Sequence, residues 1–420
     1  MVFASGRILN QGVPTMATPA TIPVILAAKR TPVGRFFGGL KAVHSPLLGS
    51  YAIAGVFADV PAIKAAALAG EIDEVIMGCV LQAGLGQNPA RQAALKAGLP
   101  DTQSCVTINK VCGSGLQSVM QAAQSIKAGD NQLVLAGGFE NMTNAPYFSR
   151  IRDGAGGPKY GPVQFEDHMQ YDGLRCAFEA CLMGNSADYI AKKYDITREA
   201  QDRWAVRSHM KAAEAAKNGW FAGEIVPVTG EQCFDKKSPG VAADEGIRAD
   251  SSIESLGKLR AAFEKDGSVT AGNASQISDG GAAIAVSSLA KAEQLGIKPL
   301  AKIVTYHTSG VAPKDIFRAP ALAVPAVIAK AGLTINDIDL FELNEAFAAQ
   351  VLQNMREGQI PEEKVNVAGG AIALGHPIGG SGARCLTTLI HQLKRTGGKR
   401  GVVAICLGGG NAVAMVIEMI

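Results

Sequence analysis

Four side chains in this chain have the types and settings that could do chemistry. Cys112 lies in NKVCGSGLQSV, directly before an amphipathic helix, and Gly113, Ser114 and Gly115 leave its sulfur uncrowded. The partial positive charge of a helix N-terminus favours thiolate, the reactive form of a group whose unperturbed pKa is about 8.5. Cys112 is therefore the best nucleophile in the chain, although an isolated thiol usually ends as an inert core residue. His376 lies in GGAIALGHPIGGSGAR, at the equivalent place before a second amphipathic helix. Pro377 disfavours α conformation at His376, so the imidazole sits on an extended turn whose glycines admit another backbone. A cysteine activated by a histidine is a recurrent pair for covalent catalysis. A lone histidine, by contrast, is more often a satisfied structural residue.

Two further groups fall at strand ends. Asn344 follows the strand pattern IDLFEL and reads as the start of a helix, EAFAAQVLQNM; Cys406 ends the strand pattern GVVAIC before Gly408, Gly409 and Gly410. In open α/β sheets ligands bind beyond the carboxyl ends of strands, where both would lie. Taken alone, Asn344 is equally a helix N-cap. Cys406 taken alone is a core residue at the end of a strand.

The elements that position these groups come in two similar sets. IDEVIMG (72–78) reads as a strand, SCVTINKVCGSG leads into the helix LQSVMQAAQSIKAGD, and NQLVLAGG is the next strand. Further on, IDLFELN (338–344) is a strand, KVNVAGGAIALGHPIGGSG leads into the helix ARCLTTLIHQLKRTGG, and RGVVAICLGGG follows. Leu116, Val119, Met120, Ala123 and Ile126 share one helix face, as do Leu386, Leu389, Ile390 and Leu393. If the two sets pack side by side, Cys112 and His376 come from matching corners. Residues 145–270 differ in character: they are richer in charge, Gly and Pro, and read as a loop insertion carrying the helix TREAQDRWAVRSHMKAAEAAKNG.

Composition removes whole classes of function. The 420 residues carry a formal charge of +3, too near neutrality for a nucleic-acid footprint. Apolar residues make up 47% and charged ones 18%, which excludes disorder, and 49 glycines signal many tight turns. Cys79, Cys105, Cys112, Cys176, Cys181, Cys233, Cys385 and Cys406 form no Cys-x-x-Cys pair and no zinc-spaced cluster with histidine. Neither a disulfide framework nor a structural metal is expected, and a reducing compartment is the default. The apolar stretch 401–420 reads as two buried strands split by its glycines rather than as a membrane span. Arg7 is the only charge before Lys29, so an organellar presequence in residues 1–22 stays open beside a cytoplasmic location, as does Met16 as an alternative start.

NKVCGSG, GGFENMTNAP (137–146), TAGNASQISDG (270–280), NEAFA (344–348), NVAGGAIALGHPIGGSGAR (366–384) and CLGGG (406–410), in this order, resemble the thiolase family. The resemblance runs from about residue 23 to the C-terminus. It implies a five-layered αβαβα fold of two similar α/β halves: 23–144 with 271–295, and 296–420. Residues 145–270 would be an inserted CoA-binding loop domain and 1–22 an extension. The implied chemistry is reversible thiolysis of 3-ketoacyl-CoA without a resident cofactor or metal. Cys112 matches the acylated nucleophile and His376 the residue that takes its proton. Cys406 matches the cysteine that moves the α-proton of the second acetyl-CoA. Asn344 matches the residue that positions a water beside His376 in one oxyanion hole; backbone N–H groups of Cys112 and Gly408 would form the other. By the same resemblance Leu174, Met183, Ala271, Ser275, Ala346 and Phe347 would line the pantetheine tunnel, with Arg248, Ser255 and Phe263 nearer the nucleotide end. Arg248 has a physical reason to be there, since guanidinium stacks on adenine and attracts phosphate, although it is otherwise a solvated loop charge.

Within the family the expectation is condensation of two acetyl-CoA to acetoacetyl-CoA and CoA by a homodimer or homotetramer. One departure bears on chain length: short-chain members usually carry His where this chain has Leu182. Gln276 and Ser278 likewise look more like degradative members, whereas the Leu174-to-Met183 spacing is that of short-chain ones. The alternatives are a 3-ketoacyl-CoA thiolase of longer chain length and a catalytically silent thiolase-like acyl-CoA or lipid carrier.

Overall fold

The computed structural model describes residues 18–150 and 160–420. Residues 1–17 of the expected extension, with Arg7 and Met16, and residues 151–159 of the expected insertion lie outside the described residues. The first half runs β1 (Pro23–Arg30), β2 (Gly34–Arg35), α1 (Ser45–Asp59), α2 (Pro61–Leu68), β3 (Glu74–Gly78), α3 (Pro89–Lys96), β4 (Cys105–Ile108), α4 (Ser114–Ala128) and β5 (Leu133–Asn141). The chain then makes a small ribbon of β6 (Tyr147–Phe148) with β7 (Glu166–Asp167), a π-helix at Met169–Leu174, and α5 (Met183–Lys193), α6 (Arg198–Lys217) and α7 (Ile253–Gly257). It returns through β8 (Ser278–Ser288) and α8 (Leu289–Gln294). The second half is β9 (Ala301–Gly310), α9 (Ala319–Lys330), β10 (Leu340–Leu343), α10 (Ala348–Gly358), α11 (Ala371–Leu374), α12 (Ser381–Thr396), β11 (Arg400–Leu407) and β12 (Asn411–Met419).

The strands of both halves join in one ladder, in the order β10, β11, β12, β9, β1, β8, β5, β3, β4. The seam is short: β1 meets β9 only through Val24 with Lys302 and Ile25 with Ala301. Side chains alternate along the strands, as period-2 geometry requires. On β12, Ala412, Ala414 and Val416 pack toward α9 and α10, while Val413, Met415 and Ile417 pack toward α4 and α12. On β1, Val24 and Leu26 pack toward α1, while Ile25 and Ala28 join Val413 and Met415 on the α4 and α12 side. The result is helix, sheet, helix, sheet, helix, with α4 and α12 as the middle layer. The stretch 401–420, apolar enough to raise a membrane span, is the antiparallel pair β11 and β12. No single helix among the described residues is long and apolar enough to cross a membrane.

The middle layer closes at its glycines. A Cβ on Gly382 would stand 2.4 Å from the Leu116 backbone nitrogen, and one on Gly115 would stand 2.8 Å from the Ala383 nitrogen. The first turns of α4 and α12 therefore touch backbone to backbone, which only residues without side chains permit. This contact brings the corner before α4 against the corner before α12.

The elements between β5 and β8 are tied to the sheet by buried charge. Arg30 of β1 donates to Glu224 Oε1 at 2.7 Å and to both carboxylate oxygens of Asp244 at 2.7 and 2.9 Å. Thr388 of α12 donates to the same Glu224 oxygen at 3.1 Å. All these groups are out of solvent, so losing one partner would strand a charge in the interior and destabilise the junction strongly.

Candidate active site

The turn that presents Cys112 is tight and strained. Val111 adopts φ of 48°, a left-handed conformation that a β-branched residue avoids. It is held there from both sides: Asn109 Oδ1 accepts the Val111 N–H at 2.9 Å, and Ser114 Oγ accepts from Lys110 N at 2.8 Å while donating to Val111 O at 2.6 Å. Gly113 follows because a Cβ there would stand 2.5 Å from Leu407. α4 then begins at Ser114.

The expected ease of ionisation at this helix terminus is not met. Burial pushes the Cys112 thiol up to about 12, more than the N–H groups of Cys112 and Gly408 that face it can pull it down, and the Glu140 carboxylate adds to the rise. Desolvation of the anion outweighs the partial charge of one helix end. A thiol in this setting needs a base.

His376 lines the same cavity as that thiol. Its backbone N–H reaches Gln276 O and Ser278 Oγ, each at 3.2 Å, fixing the loop. Its Nδ1 lies 2.6 Å from Ser381 Oγ, and that hydroxyl donates its one proton to Pro377 O at 2.8 Å. With that proton on Pro377 O, Ser381 accepts from Nδ1–H, and in this tautomer Nε2 keeps a free lone pair. Burial, with the Arg384 charge as a smaller cause, pushes the imidazole down to about 3. The ring therefore rests neutral.

Cys406 stands at the end of β11, and its thiol is pushed well above the ordinary range by burial and next by Cys112 close by. Asn344 corrects the sequence reading in one respect. It follows β10 directly, but α10 starts only at Ala348, with Phe347 extended as its N-cap, so Asn344 caps no helix. The cause is tertiary: Ser275 N donates to Ala346 O at 3.0 Å and Ala348 N to Asn273 O at 2.9 Å, so the intervening residues pair with the TAGNAS segment. Glu345 anchors the same turn by accepting from Trp204 Nε1 at 3.1 Å, Ser208 Oγ at 2.6 Å, Asn366 Nδ2 at 2.9 Å and Ile372 N at 3.1 Å.

Cys112, His376, Cys406 and Gly408 lie on the wall of one cavity of about 590 Å³. Leu174, Met183, Arg248, Phe263, Ala271, Ser275, Ala346 and Phe347 line it too. Ser255 does not: it is exposed and exchanges hydrogen bonds with Ser252 to start α7, its N–H reaching Ser252 Oγ at 3.1 Å. Asn344 is buried behind the wall. Sequence reasoning missed Met142, Met169, Ile277 and Ile378, which line the cavity and pack against Cys112 or its neighbours as an apolar cluster with Val80 and Leu81. It also missed Glu140, which accepts from Val80, Leu81 and Gly379 N–H at 2.9, 3.1 and 3.1 Å and so clasps the His376 loop to the first half. The Glu in GGFENMTNAP was the available signal, since an acidic residue ending an apolar strand must find partners.

Chemically, the site offers a shielded nucleophile, a neutral imidazole with a free lone pair, a second thiol and two backbone donors on one wall. The description "Thiolase, N-terminal domain" matches residues 23–290, and "Thiolase, C-terminal domain" matches residues 297–419. The chain is 50% identical over 397 residues to a probable acetyl-CoA acyltransferase of Staphylococcus aureus strain COL, covering 94% of this chain and 98% of that protein. It is 48% identical over 397 residues to an acetyl-CoA acetyltransferase of Chromobacterium violaceum, with the same coverage of 94% and 98%. The crystal structure of the Bacillus anthracis acetyl-CoA acetyltransferase superposes with a TM-score of 0.88 at 41% identity, over 96% of this chain and 99% of that one.

The neutral ring carries a pH signature. A free imidazole titrates at 6.5 and the folded His376 at about 3, so the unfolded chain binds a proton that the folded chain refuses. Stability is therefore whole above pH 6.5 and is lost as pH falls from 6.5 toward 3. His376→Asn should remove this sensitivity: relative to the parent, its thermal midpoint gains about 2–4 °C between pH 7 and pH 5. Parallel midpoint curves for the two proteins across that range would show that His376 is charged in the folded state.

Proposed function

The chain belongs to the thiolase family, and from that premise we propose that it condenses two acetyl-CoA to acetoacetyl-CoA and CoA, reversibly, through an acyl group on Cys112. The observation that carries the reading is the convergence of Cys112, His376, Cys406 and Gly408 on one cavity wall. His376 Nε2 takes the Cys112 proton as sulfur attacks the thioester carbonyl. The negative oxygen that forms is met by the N–H groups of Cys112 and Gly408, donors already aimed and water-excluded. Collapse of the adduct leaves acetyl-Cys112 and expels CoA as a thiolate.

Proton accounting then assigns Cys406. Its thiol rests neutral, so it cannot act as a base until something removes its proton. The departing CoA thiolate is the base at hand; it leaves as CoA and Cys406 becomes the thiolate. That thiolate takes the α-proton of the second acetyl-CoA, and the enolate attacks the acetyl carbon on Cys112. Asn344, through a water beside His376, steadies the enolate oxygen. Cys112 leaves as thiolate and recovers its proton from His376, so every proton is returned. CoA thioesters are substrates here, and no step calls for a resident cofactor or metal.

The apolar cluster of Met142, Met169 and Ile378 beside Cys112, with Leu182 on the cavity wall, favours some tolerance of longer acyl chains. Methionine adapts readily to such chains. A silent carrier would have no use for two thiols and a positioned imidazole. Two working thiols suit a reducing, cytoplasmic setting. A second copy of the chain is favoured by β4, which ends the ladder with no strand on its outer edge among the described residues and Val106 at 37% exposure.

Three measurements test this reading. Cys112→Ala should neither retain label from radioactive acetyl-CoA nor turn over, whereas Cys406→Ala should still take label but condense about 10²–10⁴ times more slowly. Condensation by Cys406→Ala at the parent rate would refute its role. In thiolysis of a 3-ketoacyl-CoA series, kcat/KM should favour four carbons and stay measurable at six or more; a preference of orders of magnitude for ten carbons over four would overturn the acetoacetyl assignment. Sedimentation should give a dimer or a dimer of dimers that Val106→Lys weakens, and a fully active monomer at assay concentration would remove that part of the reading.

A further inference from the structure

Glu342 and Asn344 are two residues apart on and just beyond β10, so both side chains point toward α12. There they meet Arg384. The guanidinium Nη1 donates to Glu342 Oε1 at 2.8 Å, and Nη2 reaches Asn344 Oδ1 at 3.4 Å. The adjacent Cys385 thiol also points at Asn344 Oδ1, at 3.7 Å. Arg384, Glu342 and Asn344 are 2%, 3% and 1% exposed. Asn344 Nδ2 is buried as well and has no hydrogen-bond partner among the described residues.

A carboxamide has one accepting and one donating end, and its direction is set by its neighbours. Turned the other way, Asn344 would press its NH₂ against a guanidinium N–H and a thiol. The present direction gives both donors an acceptor and leaves the NH₂ as the only end with hydrogen bonds to offer. A buried ion pair is a costly way to hold one side chain, since desolvation of both charges offsets much of their attraction. Cost of that kind is expected where direction matters more than stability.

We propose that Arg384, braced by Glu342 and assisted by Cys385, is a positioning residue that fixes the Asn344 carboxamide with its NH₂ free for the water that meets the reacting thioester oxygen. This rests on the reading of Asn344 given above, as the donor that steadies the enolate through a water. Arg384 touches no substrate and acts through Asn344. Its charge also opposes protonation of His376, which keeps the neighbouring base neutral. The planar fork is what the task needs: one nitrogen holds the carboxylate while another reaches the amide, and a lysine ammonium offers no such second arm.

The test is a set of variants read in two half-reactions. Arg384→Lys keeps the charge beside Glu342 but loses the second arm; Glu342→Gln with Arg384→Met removes both charges together, so no lone ion is left in the interior. In each, condensation should fall about 10- to 100-fold, toward the worth of one oxyanion donor, while acetyl labelling of Cys112 stays within about twofold of the parent. In an Asn344→Ala background, Arg384→Lys should cost nothing further, because a residue acting through Asn344 has nothing left to position. Should the doubly substituted protein fail to fold, Arg384→Lys decides alone. Equal losses in labelling and condensation, unchanged condensation, or a full additional loss in the Asn344→Ala background would overturn the proposal. If Asn344→Ala by itself condenses at the parent rate, the reading of Asn344 has failed, and the proposal falls with it for a distinguishable reason.

Discussion

Everything at this site depends on the contact between the first turns of α4 and α12. Gly115 and Gly382 let two helix backbones meet where any side chain would hold them apart. Each helix is preceded by a loop carrying one chemical group, so the closeness of the helices brings Cys112 and His376 onto the wall of one cavity. The close fit continues beyond the helices: a Cβ on Gly138 would stand 2.2 Å from Gly379 O. Sheet, helix and loop are thus pressed together along one line, and a methyl group anywhere on it would push the two corners apart.

Such tight packing keeps bulk solvent off the backs of these groups, and the chemistry inherits the consequences. The same desolvation drives the Cys112 thiol up to about 12 and the His376 imidazole down to about 3, so both rest uncharged. In the proposed mechanism an ion pair is thus avoided until substrate supplies a carbonyl whose developing charge is met by the N–H groups of Cys112 and Gly408. Cys406 is held neutral for the same reason, and in the mechanism proposed above the departure of CoA is therefore a precondition for the second half-reaction. The order of steps follows from burial.

The surrounding carboxylates act as clasps between distant segments. Glu140 fastens the turn after β3 to the loop after His376; Glu345 fastens the turn after β10 to α6, to Asn366 before α11 and to α11 itself. Glu140 lies on β5 and Glu345 just after β10, but the turns they fasten, after β3 and after β10, stand at matching positions in the two halves. Burial pushes Glu140 up to about 7 despite its N–H donors, a measure of how little solvent reaches the line of contact. In the second half the equivalent region carries Glu342, Arg384 and Asn344, where charge sets the direction of an amide.

By itself the sequence determined the local elements and the identity of the reactive groups. Period-2 and period-3.6 patterns are local properties, so strands such as RGVVAIC and helices such as LQSVMQAAQSIKA were legible, as was the placing of Cys112 and His376 before matching helices. The doubling of the strand, loop and helix pattern also showed that these corners could meet. Only the tertiary structure decided what each group experiences there. Neither the thiol's reluctance to ionise, the tautomer of His376, nor the free end of Asn344 could be read from neighbours in the chain, because burial and the partners Gly408, Ser381 and Arg384 come from other segments or from the far side of a turn. The same holds for Asn344 as a supposed helix start, where pairing with residues 273–275 overrode local preference, and for Ser255, whose hydroxyl serves α7. Desolvation and backbone pairing act through space, and at this site they outweigh the partial charges and propensities that a sequence pattern reports.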